Sequence, residues 1–195
     1  SKSGKYSLFE AKKDFISLPT IPTAIVGFNG KLYAFDRSNT YRIDPNSMIV
    51  EDIFNGIGCL SPSSISVTEY GMCFADANNI YLHDSTKPTP IAANIVTLAA
   101  YQGFDIGWQK AVKKSYNTNP LVVYDGQSNS FVCLVLGSCE QNCNPYVSRA
   151  WVYNIMKNRW DYWEAPKSIT AVHGDDGNIL LTDGNFLYNY RNGTT

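Results

Sequence analysis

Hydrophobic and polar residues alternate in short runs along most of this chain, and residues typical of tight turns separate the runs. The runs 23–28 and 31–35 flank Asn29-Gly30, a dipeptide that strongly favours a two-residue hairpin turn. Two further short runs, 40–43 and 48–50, follow after turns of their own. Since side chains alternate between the two faces of a strand, this pattern predicts four short antiparallel strands joined in sequence.

The same pattern recurs further along the chain. Four residues of the first unit return forty positions later, where Asp36, Asn39, Tyr41 and Asp44 match Asp76, Asn79, Tyr81 and Asp84. A third copy, at 177–188, places Asp183 and Tyr188 where the second has Asp76 and Tyr81. A repeat of near forty residues with four strands indicates a β-propeller blade. We therefore predict an all-β fold of antiparallel four-stranded blades, forming a complete or partial propeller.

A longer unit separates the second and third copies. Residues 120–125 and 131–136 predict one hairpin, and residues 149–154 and 159–163 predict another. The second hairpin carries large rings at alternate positions, namely Trp151, Tyr153, Trp160 and Tyr162. Such rings are typical of core packing, since each buries about 150–250 Å². Residues 98–114 contain the one stretch with approximate helical spacing.

These observations divide the chain into a polar lead-in, residues 1–21, and a propeller-like domain, residues 22–195. Within that domain we expect antiparallel sheet throughout 22–97 and 118–192. The predicted units are about 22–60, 61–105, 106–165 and 166–195.

Composition agrees with strands joined by turns and gives no sign of a charged partner. Aromatic residues make up 13% of the chain and charged residues 17%, against about 25% charged residues in an average domain. The formal net charge is −1, so no long-range attraction to nucleic acid or anionic lipid is expected. No apolar run approaches the length of a membrane span.

The five cysteines predict neither a zinc site nor an even set of disulfides. Cys59, Cys73 and Cys133 lie in apolar runs typical of strands, where a thiol packs as a small buried hydrophobe. Cys139 and Cys143 lie in a polar insert and could close a small loop disulfide or stay reduced. Neither histidine of the chain lies near a cysteine in sequence, so we expect no metal and no cofactor.

Three segments carry a family resemblance. Residues 30–35, 64–81 and 152–160 resemble the blades of tail-hub, nozzle or neck proteins of tailed bacteriophages. The Trp-bearing hairpin also resembles kelch-type repeats, although the paired glycines of kelch repeats are missing. The phage resemblance implies a virion structural protein of the tail or neck. Such a protein would act through assembly with other virion proteins, in a homo-oligomeric ring, and would have no enzymatic activity.

Two other classes of function stay open from the residues alone. Asp161 and Glu164 flank Trp163, a combination found in sugar-binding clefts, which would suit a lectin-like or receptor-binding propeller. Paired carboxylates could instead serve a glycoside hydrolase, while the same residues could simply pack and cap a hairpin.

Three Asp residues that precede Asn, Ser or Gly also allow two interpretations, a cation site or a turn. Asp36, Asp76 and Asp183 could line a face and bind a cation, but a turn role explains their places better. In residues 173–178, Asp175 and Asp176 are the candidate metal ligands, although a hairpin tip accounts for the same residues.

Overall fold

The computed structural model describes residues 15–96, 107–114, 119–138, 147–165, 169–173 and 178–190. Within these ranges the chain forms four consecutive antiparallel sheets, each a meander in which strands pair with their neighbours in sequence. The first three sheets have four strands, and the fourth has three. This architecture confirms the predicted all-β fold of antiparallel four-stranded blades.

The fifteen strands are numbered in chain order. Sheet 1 contains β1 (Ala24–Phe28), β2 (Lys31–Phe35), β3 (Asn39–Asp44) and β4 (Ile49–Asn55). Sheet 2 contains β5 (Ile65–Thr68), β6 (Gly71–Ala75), β7 (Ile80–His83) and β8 (Pro88–Pro90). Sheet 3 contains β9 (Leu121–Asp125), β10 (Ser130–Ser138), β11 (Val147–Asn154) and β12 (Arg159–Ala165). Sheet 4 contains β13 (Thr170–His173), β14 (Ile179–Thr182) and β15 (Leu187–Asn189).

Turn chemistry sets the register of the first hairpin. Asn29 and Gly30 have φ angles of 47° and 71°, as a two-residue turn with left-handed residues requires. They place Phe28 opposite Lys31, so that Ala24 pairs with Phe35 at the other end of the hairpin. The Asn-Gly dipeptide therefore forms the predicted turn.

Each sheet packs face to face on the next one. We call the side of a sheet that is turned towards the following sheet its forward face. The opposite side is its rear face. The forward face of sheet 1 meets the rear face of sheet 2 in a core of buried residues: Ala24, Phe28, Tyr33, Phe35, Cys59, Met72, Phe74 and Tyr81. In addition, β5 lies against β9, and β9 lies against β13. The first strands of these successive sheets are thus neighbours, as the innermost strands of propeller blades are.

The contact between sheets 2 and 3 is larger because two short helices join it, α1 (Ala93–Val96) and α2 (Trp108–Lys114). Its core combines residues of both sheets with helical residues: Cys73, Ala75, Ile80, Ala92, Ile95, Trp108, Ala111, Val122, Phe131, Cys133, Val135, Trp151 and Tyr153. Sheets 3 and 4 meet through Val123, Val132, Leu134, Ala150, Val152 and Ile179.

Two details differ from the sequence-based expectation. Helix α1 lies inside 22–97, where only sheet was expected, and its Ile95 supplies apolar contact between sheets 2 and 3. The polar lead-in also contains packing residues, because Ile16 and Leu18 lie against buried residues of sheet 1. The four sheets fall inside the four predicted units, whose boundaries stay predictions.

Candidate functional site

Three equivalent aspartates hold the turns that follow the second strand of a sheet. In sheet 1, Asp36 Oδ1 accepts hydrogen bonds from the amides of Ser38 and Asn39, both at 2.6 Å. Its Oδ2 accepts from the Tyr41 hydroxyl at 2.9 Å and from the Thr20 hydroxyl at 2.5 Å. Both carboxylate oxygens are therefore used within the fold.

The other two copies repeat this geometry. Asp76 accepts from two amides at 2.7 Å and from Tyr81 at 3.1 Å. Asp183 accepts from two amides at 3.1 and 3.0 Å and from Tyr188 at 3.0 Å. The matched Asp and Tyr residues form a repeated turn lock, as the turn interpretation predicted, and this lock makes the three copies structurally equivalent.

The same lock has opposite effects on two carboxyl groups. Burial alone would raise the pKa of Asp36, but hydrogen bonds from Thr20, Asn39, Ser38 and Tyr41 outweigh it and hold the pKa well below its usual range. Asp76 is more deeply enclosed, so burial raises its pKa despite the hydrogen bonds that it accepts. The lead-in residue Thr20 is one difference between the two sites, because it adds a hydroxyl donor to Asp36.

The three residues proposed for a sugar site do not converge. Trp163 packs with the core between sheets 3 and 4, and its indole Nε1 lies 3.3 Å from the Tyr190 hydroxyl. Asp161 pairs with Arg159 at 2.8 Å, and Glu164 pairs with Arg149 at 3.1 Å. Each member of the group thus has a partner within the chain.

Strand alternation also separates the two carboxylates. Asp161 is opposite Val152, a residue of the core with sheet 4, whereas Tyr162 is opposite Trp151, which faces sheet 2. Glu164 lies on the same face of the sheet as Tyr162 and accepts a hydrogen bond from the Tyr162 hydroxyl. The two carboxylates therefore lie on opposite faces of sheet 3 and cannot flank one glycosidic bond as paired catalytic groups do.

The Trp-bearing hairpin is the centre of the contact between sheets 2 and 3. Trp151 and Tyr153 are buried on β11, and the Trp151 ring lies 5.2 Å from the Trp108 ring of α2 in a T-shaped arrangement. On β12, Trp160 is half-buried and its indole donates to the Ile91 carbonyl at 3.1 Å. The alternation of rings predicted for this hairpin is thus present and serves packing.

One histidine lies in an aromatic cage between sheets 1 and 2. His83 is fully buried, and its ring centroid lies 5.0 Å from Tyr33, 6.0 Å from Phe28 and 5.7 Å from Phe54. Its Nδ1 accepts from the Ser85 amide at 3.2 Å. Burial lowers the pKa of His83; the charge of Asp84 raises it, and Arg42 lowers it further. The neutral form of the imidazole is therefore favoured more than in a solvent-exposed histidine.

This cage predicts a loss of stability in mild acid. Because the folded pKa lies below the ordinary value of 6.5, the neutral ring contributes full stability above that pH, and the contribution is lost as pH falls from there towards the folded pKa. We expect the free energy of unfolding, measured by urea denaturation between pH 7.5 and 5, to fall more in wild type than in His83→Phe. Parallel pH curves for the two proteins would show that His83 does not titrate as stated.

Large apolar side chains are exposed at both ends of the sheet stack. On the rear face of sheet 1, Ile25 is 58% exposed, and Ile21 of the lead-in is 90% exposed. On sheet 4, Leu187 is 61% exposed. Alternation places Leu187 on the forward face, because it pairs with Thr182 while Leu181 points into the core with sheet 3.

Lead-in residues cover part of the rear face of sheet 1. Residues 16–22 run across it, and Ile16 and Leu18 pack over the buried Ala34, Tyr41 and Ile43. We call residues 16–22 the strap. A cavity of about 610 Å³ lies between the strap and the sheet and extends to Ile25, Leu32 and Met48. The exposed Ile25 is on the first strand, the position that lies nearest the neighbouring sheet elsewhere in the stack.

Sequence reasoning missed both of these end faces. The strap carries the apolar Ile16, Leu18 and Ile21, but their spacing gave no sign that this segment lies on sheet 1. The repeat aligns Leu187 with Ile80 of sheet 2, which is buried, and so gives no sign that Leu187 is exposed. The candidate metal ligands Asp175 and Asp176, and the loop cysteines Cys139 and Cys143, lie outside the described residues.

The described residues also bear on metal binding and on membrane crossing. Within them, no three His, Cys, Asp or Glu side chains are grouped so as to hold a metal ion. No helix in that part of the chain has the length and apolar character needed to cross a membrane.

Comparison with known proteins gives structural neighbours alone. No protein-family model matches the chain, and no curated protein does. Among solved structures, the chain is similar to two crystal structures of the extracellular domain of BT4673 from B. thetaiotaomicron. One structure describes BT4673 as a one-component system, and the other describes it as a hybrid two-component system. In both, the TM-score is 0.59 and the identity 16%.

The matches cover 92% and 96% of this chain but 22% of the neighbour, so the chain spans less than a quarter of the length of those structures. At this identity the likeness shows the fold. It supports an architecture of four-stranded antiparallel sheets, whereas the virion role implied by the phage resemblance stays a prediction.

Proposed function

We propose that this chain is a propeller segment of a virion, in the tail or neck of a tailed phage, and that it acts by protein–protein assembly without catalysis. The observation that carries the proposal is the exposure of Ile21, Ile25 and Leu187 at the two ends of the stack. These side chains lie on or beside the faces through which sheets pack elsewhere in the stack, and burying them against a partner would remove apolar surface from water.

The interior of the molecule supports a structural role. The repeated aspartates accept hydrogen bonds in turn locks, and the rings of Trp151 and Trp163 pack between sheets. Asp161 and Glu164 occupy opposite faces of sheet 3 and are each ion-paired. These side chains hold turns and pack the sheets on one another, and the resulting stack can present its faces and loops to neighbouring subunits.

Mass spectrometry of virus particles tests this function. Particles of the source virus, purified by density gradient and washed in high salt, should contain peptides of this chain in a fixed ratio to tail proteins. Recovery of the chain in the lysate but not in the particles would contradict a virion role.

A ligand-binding propeller is the second candidate, and the neighbours favour it because both structures are of an extracellular domain, described as part of a one-component or hybrid two-component system. Its candidate residue is Trp163, beside the exposed Asp161. Under our proposal, Trp163→Ala reduces the free energy of unfolding by about 2 kcal/mol, since a half-buried ring is lost. Thermal melts measure this change.

A glycan array separates the two candidates. We expect the wild type to bind no glycan above background, so that Trp163→Ala changes stability alone. The conservative variant Trp163→Phe, which keeps a ring, should recover most of the lost stability. A glycan that binds wild type and not a folded Trp163→Ala protein would support the ligand-binding function instead.

A further inference from the structure

The internal contacts of the stack use the same repeat positions each time. Sheet 2 packs forward through Cys73, Ala75 and Ile80, all fully buried. The turn lock matches Asp76 with Asp183, so the corresponding positions of sheet 4 are Leu180, Thr182 and Leu187. These three share the forward face of sheet 4, on the side opposite the core with sheet 3. Ile80 is 0% exposed, whereas its equivalent Leu187 is 61% exposed.

The rear faces correspond in the same way. Sheet 2 receives sheet 1 through Met72, Phe74 and Tyr81. Forty positions earlier, sheet 1 has Leu32, Ala34 and Tyr41 on its own rear face. The rear face of sheet 1 therefore has the residue pattern of a surface that receives another sheet.

The strap occupies part of that receiving surface. Ala34 is smaller than its equivalent Phe74, and Ile16 and Leu18 pack over this part of the face. The strap leaves the first strand uncovered, where Ile25 and the neighbouring Ile21 are exposed. First strands are also where successive sheets of the stack lie against each other, at β5 with β9 and β9 with β13. The uncovered part of the rear face is thus the part nearest a neighbouring blade.

We propose that a second copy of this chain binds here, head to tail, with the forward face of its sheet 4 on the rear face of sheet 1. This inference rests on the proposed function as an assembly module and names its partner. The two faces match through the same repeat that builds the internal contacts. They also do not cover one another within one chain, since Ile25 and Leu187 both stay more than half exposed.

The geometry of such a contact determines the kind of assembly. Because two different faces meet, the contact is heterologous, and copies add in one direction to form a closed ring or an open filament. The exposed residues at its centre, Ile21, Ile25 and Leu187, carry no charge, so their burial leaves no unpaired charge. The strap residues that border the contact, Pro19 and Pro22, have no backbone amide hydrogen to bury.

The test uses the whole chain and two single variants, Ile25→Arg and Leu187→Arg. Each variant loses one of the two faces and keeps the other. In sedimentation velocity, wild type should form dimers and larger species as its concentration rises, while each variant alone should stay a monomer. Mixed in equal amounts, the two variants should form a dimer, because the intact sheet 4 of Ile25→Arg can bind the intact sheet 1 of Leu187→Arg.

The control variant is Met156→Arg, which changes an apolar residue that is more exposed than Ile25 and Leu187 and lies at the turn between β11 and β12. It should assemble as wild type does. Unchanged thermal melts for all three variants establish that they fold. A monomeric wild type at every concentration, variants that still assemble, or folded variants that fail to pair when mixed would each overturn the head-to-tail contact.

These outcomes are separate from those that test the proposed function. A monomeric chain found at a fixed ratio in purified particles would refute the contact and leave the assembly role supported. A head-to-tail oligomer that is absent from particles would support the contact and contradict the virion role.

Discussion

Replacing Trp151 with Ala should lower the free energy of unfolding by about 3–5 kcal/mol, a large part of the stability of a domain of this size. Trp151 is 3% exposed and packs against Trp108 of α2 in the core between sheets 2 and 3. Its removal leaves a cavity at a contact among β11, α2 and the facing sheet, where backbone on both sides limits collapse.

Urea denaturation followed by far-ultraviolet circular dichroism measures this loss. Trp160→Ala is the matched comparison, since Trp160 is on the same hairpin but half-buried. We expect Trp160→Ala to cost less than Trp151→Ala, although the lost hydrogen bond to the Ile91 carbonyl adds to its effect. Equal losses for the two variants, or a negligible loss for Trp151→Ala, would contradict the packing assigned to this hairpin.

Cys133→Asp should be the more severe change, with a loss above about 4 kcal/mol or no folded protein at all. Cys133 is fully buried on β10 and faces sheet 2, where it shares a core with the buried Cys73. Burial raises the pKa of Cys73 well above its ordinary value, and the contact with Cys133 adds to this shift. The environment that disfavours a thiolate at Cys73 also disfavours a carboxylate at the neighbouring position.

Cys133→Ala is the control, because it removes the sulfur without adding a charge. It should remain folded with a much smaller loss in midpoint temperature. We also expect the double change of Cys139 and Cys143 to Ser to shift the melting midpoint little. A folded Cys133→Asp protein with the same melting midpoint as Cys133→Ala would show that water reaches the contact between sheets 2 and 3 at this position.

The repeat was the part of the fold most accessible from sequence. Turn chemistry at Asn29-Gly30 and the Asp–Tyr pairs spaced by forty residues specify local geometry, and local geometry is what a single sequence records best. Alternation then assigned large rings such as Trp151 and Trp160 to one side of their strands.

Contacts between distant parts of the chain could not be predicted in this way. Nothing in the pattern showed that Ile16 and Leu18 lie on sheet 1, or that Ile95 supports the contact between sheets 2 and 3. Such contacts depend on how whole sheets are placed, which periodicity does not report. The short helix α1 was missed because four residues carry too little helical periodicity to detect.

The interpretation of the candidate sugar site changed most, because it too depended on how strands and sheets are placed. Asp161, Trp163 and Glu164 are close in sequence, and this closeness suggested one cleft. The alternation of β12 separates Asp161 from Glu164, and Trp163 contacts Tyr190 of the last unit. Sequence proximity within a strand therefore pointed to a site that the sheet divides between two faces.

The central claim, an assembly module in the tail or neck of a virion, is tested most directly by locating the chain on the particle. Gold-labelled antibodies raised against the folded chain should, in electron micrographs of purified particles, mark one end of the particle, at the tail or at its junction with the head. Labelling spread evenly over the head, or no labelling of opened particles that retain their tails, would contradict the claim.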